Sequence, residues 1–125
     1  MFKIQKTMEI SASHQLTLGY SSPCRNLHGH NYNITVYIKA NKLNKDGMVI
    51  DFTDIKKCVH DYMDHKHLND LFEFNPTAEN MAYWIAVHLD VGRTVDDIER
   101  GLHCYRVDVE ETNNNIATWE DDECK

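Results

Sequence analysis

Two alternating runs of residues constrain the fold of this chain more than any other feature. The first run, residues 2–14, repeats apolar side chains at every second position and ends in His14 with the same parity. The second, residues 28–40, begins with His28 and His30 and continues as an apolar series of their parity. Because side chains of a β-strand alternate between two faces, each run predicts a strand with one buried face. If the strands pair, three imidazoles meet on that face.

Three convergent imidazoles indicate a metal site. Neutral imidazole is a preferred ligand of Zn²⁺, at a Zn–N distance of about 2.0–2.1 Å, and three such ligands leave one tetrahedral position for water or substrate. The sequence therefore predicts a zinc site formed by His14, His28 and His30. Cys24 is a candidate fourth ligand, which would make the zinc structural, and its spacing from His28 does not decide the question. The alternative, ordinary polar histidines at strand ends, is disfavoured because the parity agrees in two separate strands.

Two helical segments separate these strands from the rest of the chain. Apolar residues recur at three- and four-residue steps over residues 52–63, which predicts a helix with Asp51 as its N-cap. A second helix is predicted to begin after Thr77, with Glu79 in its first turn, and to end near Asp90.

The remaining C-terminal residues predict a β-hairpin. Residues 103–111 alternate, a polar turn follows, and residues 115–119 form a short last strand. Parity places Tyr105 on the buried face of the first of these strands and Cys104 on the other face. The expected order is ββααββ, an α+β fold with an antiparallel sheet and two helices on one face.

Length and composition restrict the class of protein and its partners. The 125 residues suit one domain, which we place at residues 1–119, followed by an acidic tail at residues 120–125. The net charge of −7 argues against nonspecific binding to nucleic acid or membranes. No apolar run long enough to span a membrane, and no signal peptide, is present in the sequence.

The cysteines lack the spacing of a disulfide framework, so we expect reduced thiols in a cytoplasmic protein. Three of them are expected to be packing or surface residues: Cys58, Cys104 and Cys124.

Three groups outside the predicted zinc site carry reactive chemistry. Cys24 is a candidate acid, base or nucleophile because a nearby metal lowers the pKa of a thiol; without a metal, an inert loop cysteine is favoured. Glu111 shares the apolar face of its strand, where an unpaired carboxylate is costly. It therefore needs a partner, such as the N–H groups of a ligand. The alternative is that Glu111 lies at the strand end and reaches water. Asp64 and His65 are adjacent, which allows a proton relay without guaranteeing contact, so this pair stays undecided. The other histidines are expected on the surface or on helix faces: His60, His67, His88 and His103.

A series of motifs occurs in one order over nearly the whole chain. They are Ser13-His14, Cys24-x-x-x-His28-Gly29-His30-Asn31-Tyr32, Ile50-Asp51-Phe52, Asp64-His65 with Leu68-Asn69-Asp70, Asn75-Pro76-Thr77-Ala78-Glu79-Asn80, and Glu111-Thr112. Together they resemble the 6-pyruvoyltetrahydropterin synthase / 6-carboxytetrahydropterin synthase family. The resemblance implies a tunnelling fold (T-fold), in which ββααββ subunits join into a trimeric barrel and two trimers stack as a hexamer.

The resemblance also implies a zinc-dependent lyase that acts on a pterin triphosphate. The three histidines would bind zinc, and Cys24 would be the thiol that transfers protons. Asp64 and His65 would tune the proton relay, with the possibility that they come from a neighbouring subunit. Glu111 would anchor the amino and ring N–H groups of the pterin, in agreement with its parity. Two further residues match positions near the pterin pocket: Thr77 and Glu79.

The spacing of three residues between Cys24 and His28 resembles the bacterial 6-carboxy-5,6,7,8-tetrahydropterin synthases. Those enzymes act on 7,8-dihydroneopterin triphosphate, release acetaldehyde and triphosphate, and supply 7-deazaguanine (queuosine) biosynthesis. The runner-up is 6-pyruvoyltetrahydropterin synthesis, in which the same site stops after triphosphate elimination. Two alternatives of another class are a non-catalytic pterin- or zinc-binding module and a structural Cys-His₃ zinc domain.

Overall fold

The computed structural model describes residues 1–122, which form a five-stranded sheet and five short to medium helices. The strands are β1 (Phe2–His14), β2 (His28–Ala40), β3 (Lys66–His67), β4 (His103–Thr112) and β5 (Asn115–Glu120). The helices are α1 (Phe52–Cys58), α2 (His60–Met63), α3 (Leu68–Leu71), α4 (Ala78–Asp90) and α5 (Val95–Glu99). The strand order is β3-β1-β2-β4-β5, antiparallel throughout except that β3 runs parallel to β1. Residues 123–125, with Cys124 and the end of the predicted acidic tail, lie outside the described residues.

The pairing of β1 with β2 confirms the parity argument. The two strands are antiparallel over their full length, with Phe2 opposite Ala40 and His14 opposite His28. Alternate side chains of both strands are buried, and they form the core together with residues from α1, α4 and β4. The opposite face of the sheet carries their polar side chains. The histidines therefore lie at one end of the buried face.

The predicted helices are present, with one interruption. The side chain of Asp51 accepts a hydrogen bond from Thr53 N at 2.8 Å and caps α1. The helix predicted over residues 52–63 is divided into α1 and α2 at Val59, whose φ of −112° departs from helical geometry while its side chain is fully buried. Thr77 caps α4 by accepting from Asn80 N at 3.2 Å, as predicted. Within residues 1–122, no helix is both long and apolar enough to cross a membrane.

The predicted faces of Tyr105 and Cys104 are wrong. The register of β2 against β4 shifts by one residue between Tyr37 and Ile38, so that Tyr105 becomes the extra residue of a β-bulge. Cys104 is consequently fully buried, and Tyr105 lies on the outer face beneath the ammonium groups of lysine side chains. Alternation cannot reveal a bulge, because the inserted residue inverts the parity on one side of it only.

The C-terminal end of the sheet is fastened by His103, which was expected to be a simple surface residue. Its Nδ1 lies 2.6 Å from Asp90 Oδ2, and its Nε2 lies 2.5 Å from Asp121 Oδ2. The ring thus joins the end of α4, the start of β4 and the residue after β5. The last strand extends through Glu120, so ordered structure continues into the segment predicted as a tail.

Candidate metal centre and active site

The ends of β1 and β2 bring three imidazoles together. His14 lies directly opposite His28, and Ala12 lies opposite His30, so all three side chains project from one end of the buried face. The ring centroid of His14 is 4.5 Å from that of His28 and 5.0 Å from that of His30. His14 is fully buried, and the other two rings are partly exposed. The cluster predicted from strand parity is therefore present.

Hydrogen bonds to backbone carbonyls fix the tautomers of two of these histidines. His14 Nδ1 lies 2.8 Å from Pro76 O, and His28 Nδ1 lies 2.7 Å from Asn26 O. Because a carbonyl oxygen only accepts, each Nδ1 carries the proton and donates it. In the neutral rings, both Nε2 atoms then present lone pairs. This is the orientation that metal-binding histidines adopt when an outer hydrogen bond holds the ring.

The two lone pairs face each other at close range. His14 Nε2 and His28 Nε2 are 2.9 Å apart, a distance at which two acceptors repel unless a cation lies between them. A shared proton is the other possibility, but it would place a positive charge in the cluster. Burial lowers the pKa of His14, more than the Pro76 carbonyl and Glu111 raise it. The pKa of His30 is lowered by burial as well. The neutral forms of His14 and His30 are therefore favoured, and neutral imidazoles suit a metal ion.

Glu111 completes a group of four possible ligands. Its Oε1 lies 3.2 Å from His30 Nε2, and the ligand atoms of the four residues all lie within 4.8 Å of one another. His30 Nε2 is buried and forms no hydrogen bond with any described residue. Three imidazoles and one carboxylate are a donor set that divalent transition metals, zinc among them, bind in proteins. The residues present therefore fit a metal ion.

Cys24 lies outside this group of ligand atoms. It is half-buried in a short 3₁₀ turn at Pro23–Arg25, where its N–H donates to Ser22 Oγ at 3.2 Å and its carbonyl accepts from Leu16 N at 2.9 Å. The structure brings Glu111, rather than Cys24, to the three imidazoles. The arrangement of ligand atoms does not support the alternative of a closed Cys-His₃ site.

Asp64 and His65 contact each other, which adjacency in sequence left undecided. His65 Nδ1 lies 2.8 Å from Asp64 Oδ2, and Asp64 Oδ1 accepts from Ser11 N at 2.9 Å. The hydrogen bond from Ser11 is the main cause that lowers the pKa of Asp64. His65 adopts a left-handed backbone conformation, φ 59°, and its side chain is 80% exposed. With its neighbours Lys66 and His67 it lines an open cavity of about 480 Å³. His30 lines the same cavity, but neither Asp64 nor His65 belongs to the group of four possible metal ligands.

A second cavity lies beside Glu111. Its volume is about 580 Å³, within the range of small-molecule sites, and it is lined by Ala78, Glu79, Glu111 and hairpin residues 114–117. Glu79 and Glu111 therefore line the same cavity. Thr77 is not among the lining residues, and its hydroxyl caps α4.

Sequence reasoning missed the groups that hold His14 in place. The Tyr32 hydroxyl lies 3.1 Å from His14 Nδ1, beside the Pro76 carbonyl, and burial raises the pKa of this tyrosine. Tyr32 is two residues beyond His30 and therefore shares its face, which was the available signal. Pro76 lies in the loop before α4, and no local pattern connects it with β1.

A family model of 6-pyruvoyl tetrahydropterin synthase matches residues 3–122. The chain belongs to this family. It is 31% identical to the 6-carboxy-5,6,7,8-tetrahydropterin synthase of Bacillus subtilis, over 94% of this chain and 84% of the relative. It is 34% identical to the protein of the same name from Synechocystis, over 95% and 93%. The 6-pyruvoyl tetrahydropterin synthase of Caenorhabditis elegans superposes with a TM-score of 0.71 at 28% identity, over 95% of this chain and 94% of that one. The protein is thus a pterin synthase of this family and has the α+β T-fold.

Proposed function

We propose that this pterin synthase is a zinc-dependent 6-carboxy-5,6,7,8-tetrahydropterin synthase. It would convert 7,8-dihydroneopterin triphosphate with release of acetaldehyde and triphosphate, in 7-deazaguanine (queuosine) biosynthesis. The observation that carries the proposal is the cluster of His14, His28 and His30, in which the fixed tautomers of His14 and His28 leave two lone pairs that face each other. The names of the two relatives support the choice of product.

The pterin would bind in the cavity beside Glu111. The carboxylate of Glu111 is an acceptor for the amino and ring N–H groups of the pterin, a pairing that fixes the ring in one orientation. Glu79 lines the same cavity. Thr77 would contribute through its cap, which holds the start of α4, and so Glu79, in position.

Zinc held by the three histidines would supply Lewis acidity to oxygens of the substrate side chain. The Cys24 thiolate would take a proton from the adjacent carbon and return it elsewhere, the task of a general base and acid. His65 would relay this proton, with its ring oriented by the Asp64 carboxylate at 2.8 Å. Because Asp64 and His65 are not among the possible metal ligands of their own chain, and the side chain of His65 is 80% exposed, we propose that they serve the site of a neighbouring subunit.

This arrangement requires an oligomer. We propose that residues 1–119 form one catalytic domain and that six chains assemble as a dimer of trimers, with sheets joined edge to edge. Joined sheets would also protect the free edge of β5, which a single subunit exposes. The cysteine spacing, which gives no disulfide framework, favours action in the cytoplasm.

Two other functions remain as alternatives. The likeness to the Caenorhabditis elegans 6-pyruvoyl tetrahydropterin synthase favours elimination of triphosphate alone. A pterin- or zinc-binding module without catalysis would explain the same cluster, but it gives no role to Cys24 and the contacting pair Asp64 and His65.

The decisive experiment incubates zinc-loaded protein with 7,8-dihydroneopterin triphosphate, identifies the pterin product by mass and assays acetaldehyde in parallel. A carboxytetrahydropterin together with acetaldehyde is the expected result. A pyruvoyl product without acetaldehyde would replace the proposal by the first alternative. Bound zinc without any turnover would replace it by the binding module.

A further inference from the structure

The segment after α4 places a charged side chain in the interior with too few partners. The side chain of Arg93 is only 12% exposed, and its Nε and Nη2 are buried without a hydrogen-bond acceptor anywhere in residues 1–122. Its Nη2 lies 3.7 Å from Asp90 Oδ1, which is too long for a hydrogen bond. That oxygen already accepts from Cys104 N at 3.0 Å, and the other oxygen of Asp90 lies 2.6 Å from His103 Nδ1. A buried guanidinium without acceptors is costly, so its presence calls for an explanation.

A second arginine nearby shows how this chain satisfies a buried guanidinium. The nitrogens of Arg100 donate to two backbone carbonyls and to the carboxylates of Asp96 and Asp97. Arg93 and Arg100 both line one cavity of about 410 Å³. Of these two arginines, Arg93 is therefore the one whose donors remain available to a ligand.

The cavity is separate from the proposed catalytic site. It is lined by the loop before α1, by α1, and by the segment from the end of α4 through α5, and it shares no residue with the two cavities described above or with the four possible metal ligands. The loop before α1 follows Ala40, which pairs with Phe2, whereas His28 pairs with His14 at the opposite end of the two strands. The volume of the cavity falls within the range of sites that bind small molecules.

The charges around the cavity favour a ligand that carries both signs. Three of its carboxylates, those of Asp46, Asp51 and Asp54, are exposed and form no ion pair within residues 1–122. They outnumber the guanidinium of Arg93, so a simple anion would meet net repulsion. Apolar side chains complete the lining: Met48, Ile50, Ile55, Leu89 and Val91. These surroundings suit a small molecule with a carboxylate, an ammonium group and an aliphatic body.

We propose that this cavity binds a small zwitterion of the aliphatic α-amino acid class. The two nitrogens of Arg93 that lack acceptors, Nε and Nη2, form one edge of the guanidinium, and such an edge matches the two oxygens of a carboxylate. Because both atoms are buried, the guanidinium rotates towards the cavity to receive the ligand. The ammonium group of the ligand faces the three exposed carboxylates, and its aliphatic side chain packs against the apolar lining.

Isothermal titration calorimetry of the full chain with L-leucine tests the proposal, and one leucine should bind per chain. Leucinamide lacks the carboxylate and should bind at least about tenfold more weakly, the factor expected for loss of a charged hydrogen-bonded pair. The compound 4-methylpentanoate lacks the ammonium group and should also bind more weakly, because it keeps only the charge that the carboxylates repel. Absence of leucine binding at millimolar concentration would overturn the inference. Equal binding of 4-methylpentanoate and leucine would replace the zwitterion by a plain carboxylate.

Substitution of Arg93 separates a ligand-binding role from a structural one. Arg93→Met keeps the length of the side chain and should weaken leucine binding at least about tenfold. Its melting temperature should be unchanged or higher, since an apolar side chain replaces a buried cation without acceptors. Lys45→Met is the matched control: Lys45 is an exposed cation of the loop before α1 that does not line the cavity, and its loss should change neither quantity. Unchanged leucine binding in Arg93→Met would refute the proposed site. A lower melting temperature would show that the guanidinium is satisfied within the folded chain and would remove the basis of the inference.

A variant at the exposed side of the cavity tests the position of the ammonium group. Asp54→Asn changes an exposed side chain, so the fold should be retained. This variant should reduce the preference for leucine over 4-methylpentanoate, because it removes one of the carboxylates that face the ammonium group. The same preference in the wild type and in Asp54→Asn would contradict the orientation proposed for the ligand.

Discussion

At the scale of single residues, the strongest argument for a metal is the direction of hydrogen bonds. The Pro76 and Asn26 carbonyls take the Nδ1 protons of His14 and His28, and this leaves two lone pairs 2.9 Å apart. Three nearby rings alone could be a packed polar cluster. Rings held in tautomers that repel each other require a cation or a rearrangement.

The role of Cys24 can be separated from metal binding by one substitution. Because its thiol lies outside the four ligand atoms, Cys24→Ala should retain zinc with unchanged affinity. Turnover should fall about 10²- to 10⁴-fold, the usual contribution of a general acid or base. Zinc content by elemental analysis and product formation by mass check both parts. Loss of zinc from this variant would instead support a Cys-His₃ structural site.

The buried histidines predict how stability changes with pH. The pKa values of His14 and His30 are lowered below the ordinary value of 6.5, so the unfolded chain binds protons more readily than the folded one. Stability of the metal-free protein should therefore be complete above about pH 6.5 and should decrease as the pH falls towards the folded pKa values. Zinc binding should weaken over the same range, since protons compete for the ligands.

Thermal melting of the metal-free protein between pH 5 and 8 checks this prediction. His14→Gln removes the most buried titrating ring and should show a shallower dependence below pH 6.5. Equal slopes in the wild type and the variant would mean that other groups, such as His88, dominate the titration.

Gly101 is a position where only glycine fits without strain. Its φ is 72°, and an added Cβ would lie 2.7 Å from the side-chain nitrogen of Asn41. Gly101→Ala should lower the free energy of unfolding by about 1–2 kcal/mol, the cost of a left-handed backbone for a residue with a Cβ. Gly19→Ala is the control, because Gly19 lacks a positive φ and has open space around it. Urea denaturation of the two variants should separate them, and equal effects would contradict the steric argument.

The sequence predicted the three histidines because strand parity is a local property of β1 and β2. It placed Glu111 on the correct face for the same reason. It could not bring Glu111 to the imidazoles, because that distance depends on the order β1-β2-β4 in the sheet and on an irregular register near Glu110. The pairing of β2 with β4, which are distant in the sequence, is a long-range fact that no local pattern specifies.

At the scale of elements, the shortest segments escaped prediction. β3 has two residues, α3 has four and α5 has five, too few for any period to be recognised. For α5 a local signal did exist. Thr94 and Asp97 form a reciprocal capping box, in which Thr94 Oγ1 accepts from Asp97 N at 3.0 Å and Asp97 Oδ2 accepts from Thr94 N at 3.1 Å.

Arg100, which follows α5, joins this helix to the loop after β2. It is almost fully buried, and its Nη1 donates to the carbonyls of Lys42 at 3.0 Å and Val49 at 3.1 Å. Asp96 and Asp97 neutralise its charge at 3.2 Å and 3.1 Å. A buried cation is tolerated here because its donors and its charge are both satisfied.

Arg100→Ala should therefore destabilise the protein by about 3 kcal/mol, since it leaves the buried Val49 carbonyl without a donor and removes the partner of two carboxylates. Chemical denaturation measures the loss. Lys45→Ala, an exposed cation in the same loop, should change stability by less than about 0.5 kcal/mol. Similar losses in the two variants would indicate a general sensitivity of the loop to charge, not a role for the buried guanidinium.

At the scale of the whole molecule, a single chain brings the four possible metal ligands together, but it does not bring Cys24, Asp64 or His65 into that group. Cys24 and the metal cluster lie at one end of the β1–β2 pair, while His65 lines, with His30, a different cavity from the one beside Glu111. The side chain of His65 is 80% exposed and available to another subunit. An edge-to-edge assembly would place such a group against a neighbour.

Mixing two inactive variants tests whether the site is shared. Cys24→Ala and His65→Ala should each be inactive alone. If each site takes Cys24 from one chain and His65 from another, subunit exchange in an equal mixture should restore about a quarter of wild-type turnover, because both groups are intact at random in that fraction of sites. Exchange is confirmed by native mass spectrometry of hetero-oligomers. Every chain in the mixture lacks either the Cys24 thiol or the His65 imidazole. A site built within one chain would therefore give no recovery of turnover. If the mixture turns over substrate and neither variant does so alone, the proton relay crosses a subunit boundary. The exposed position of His65 is compatible with that arrangement.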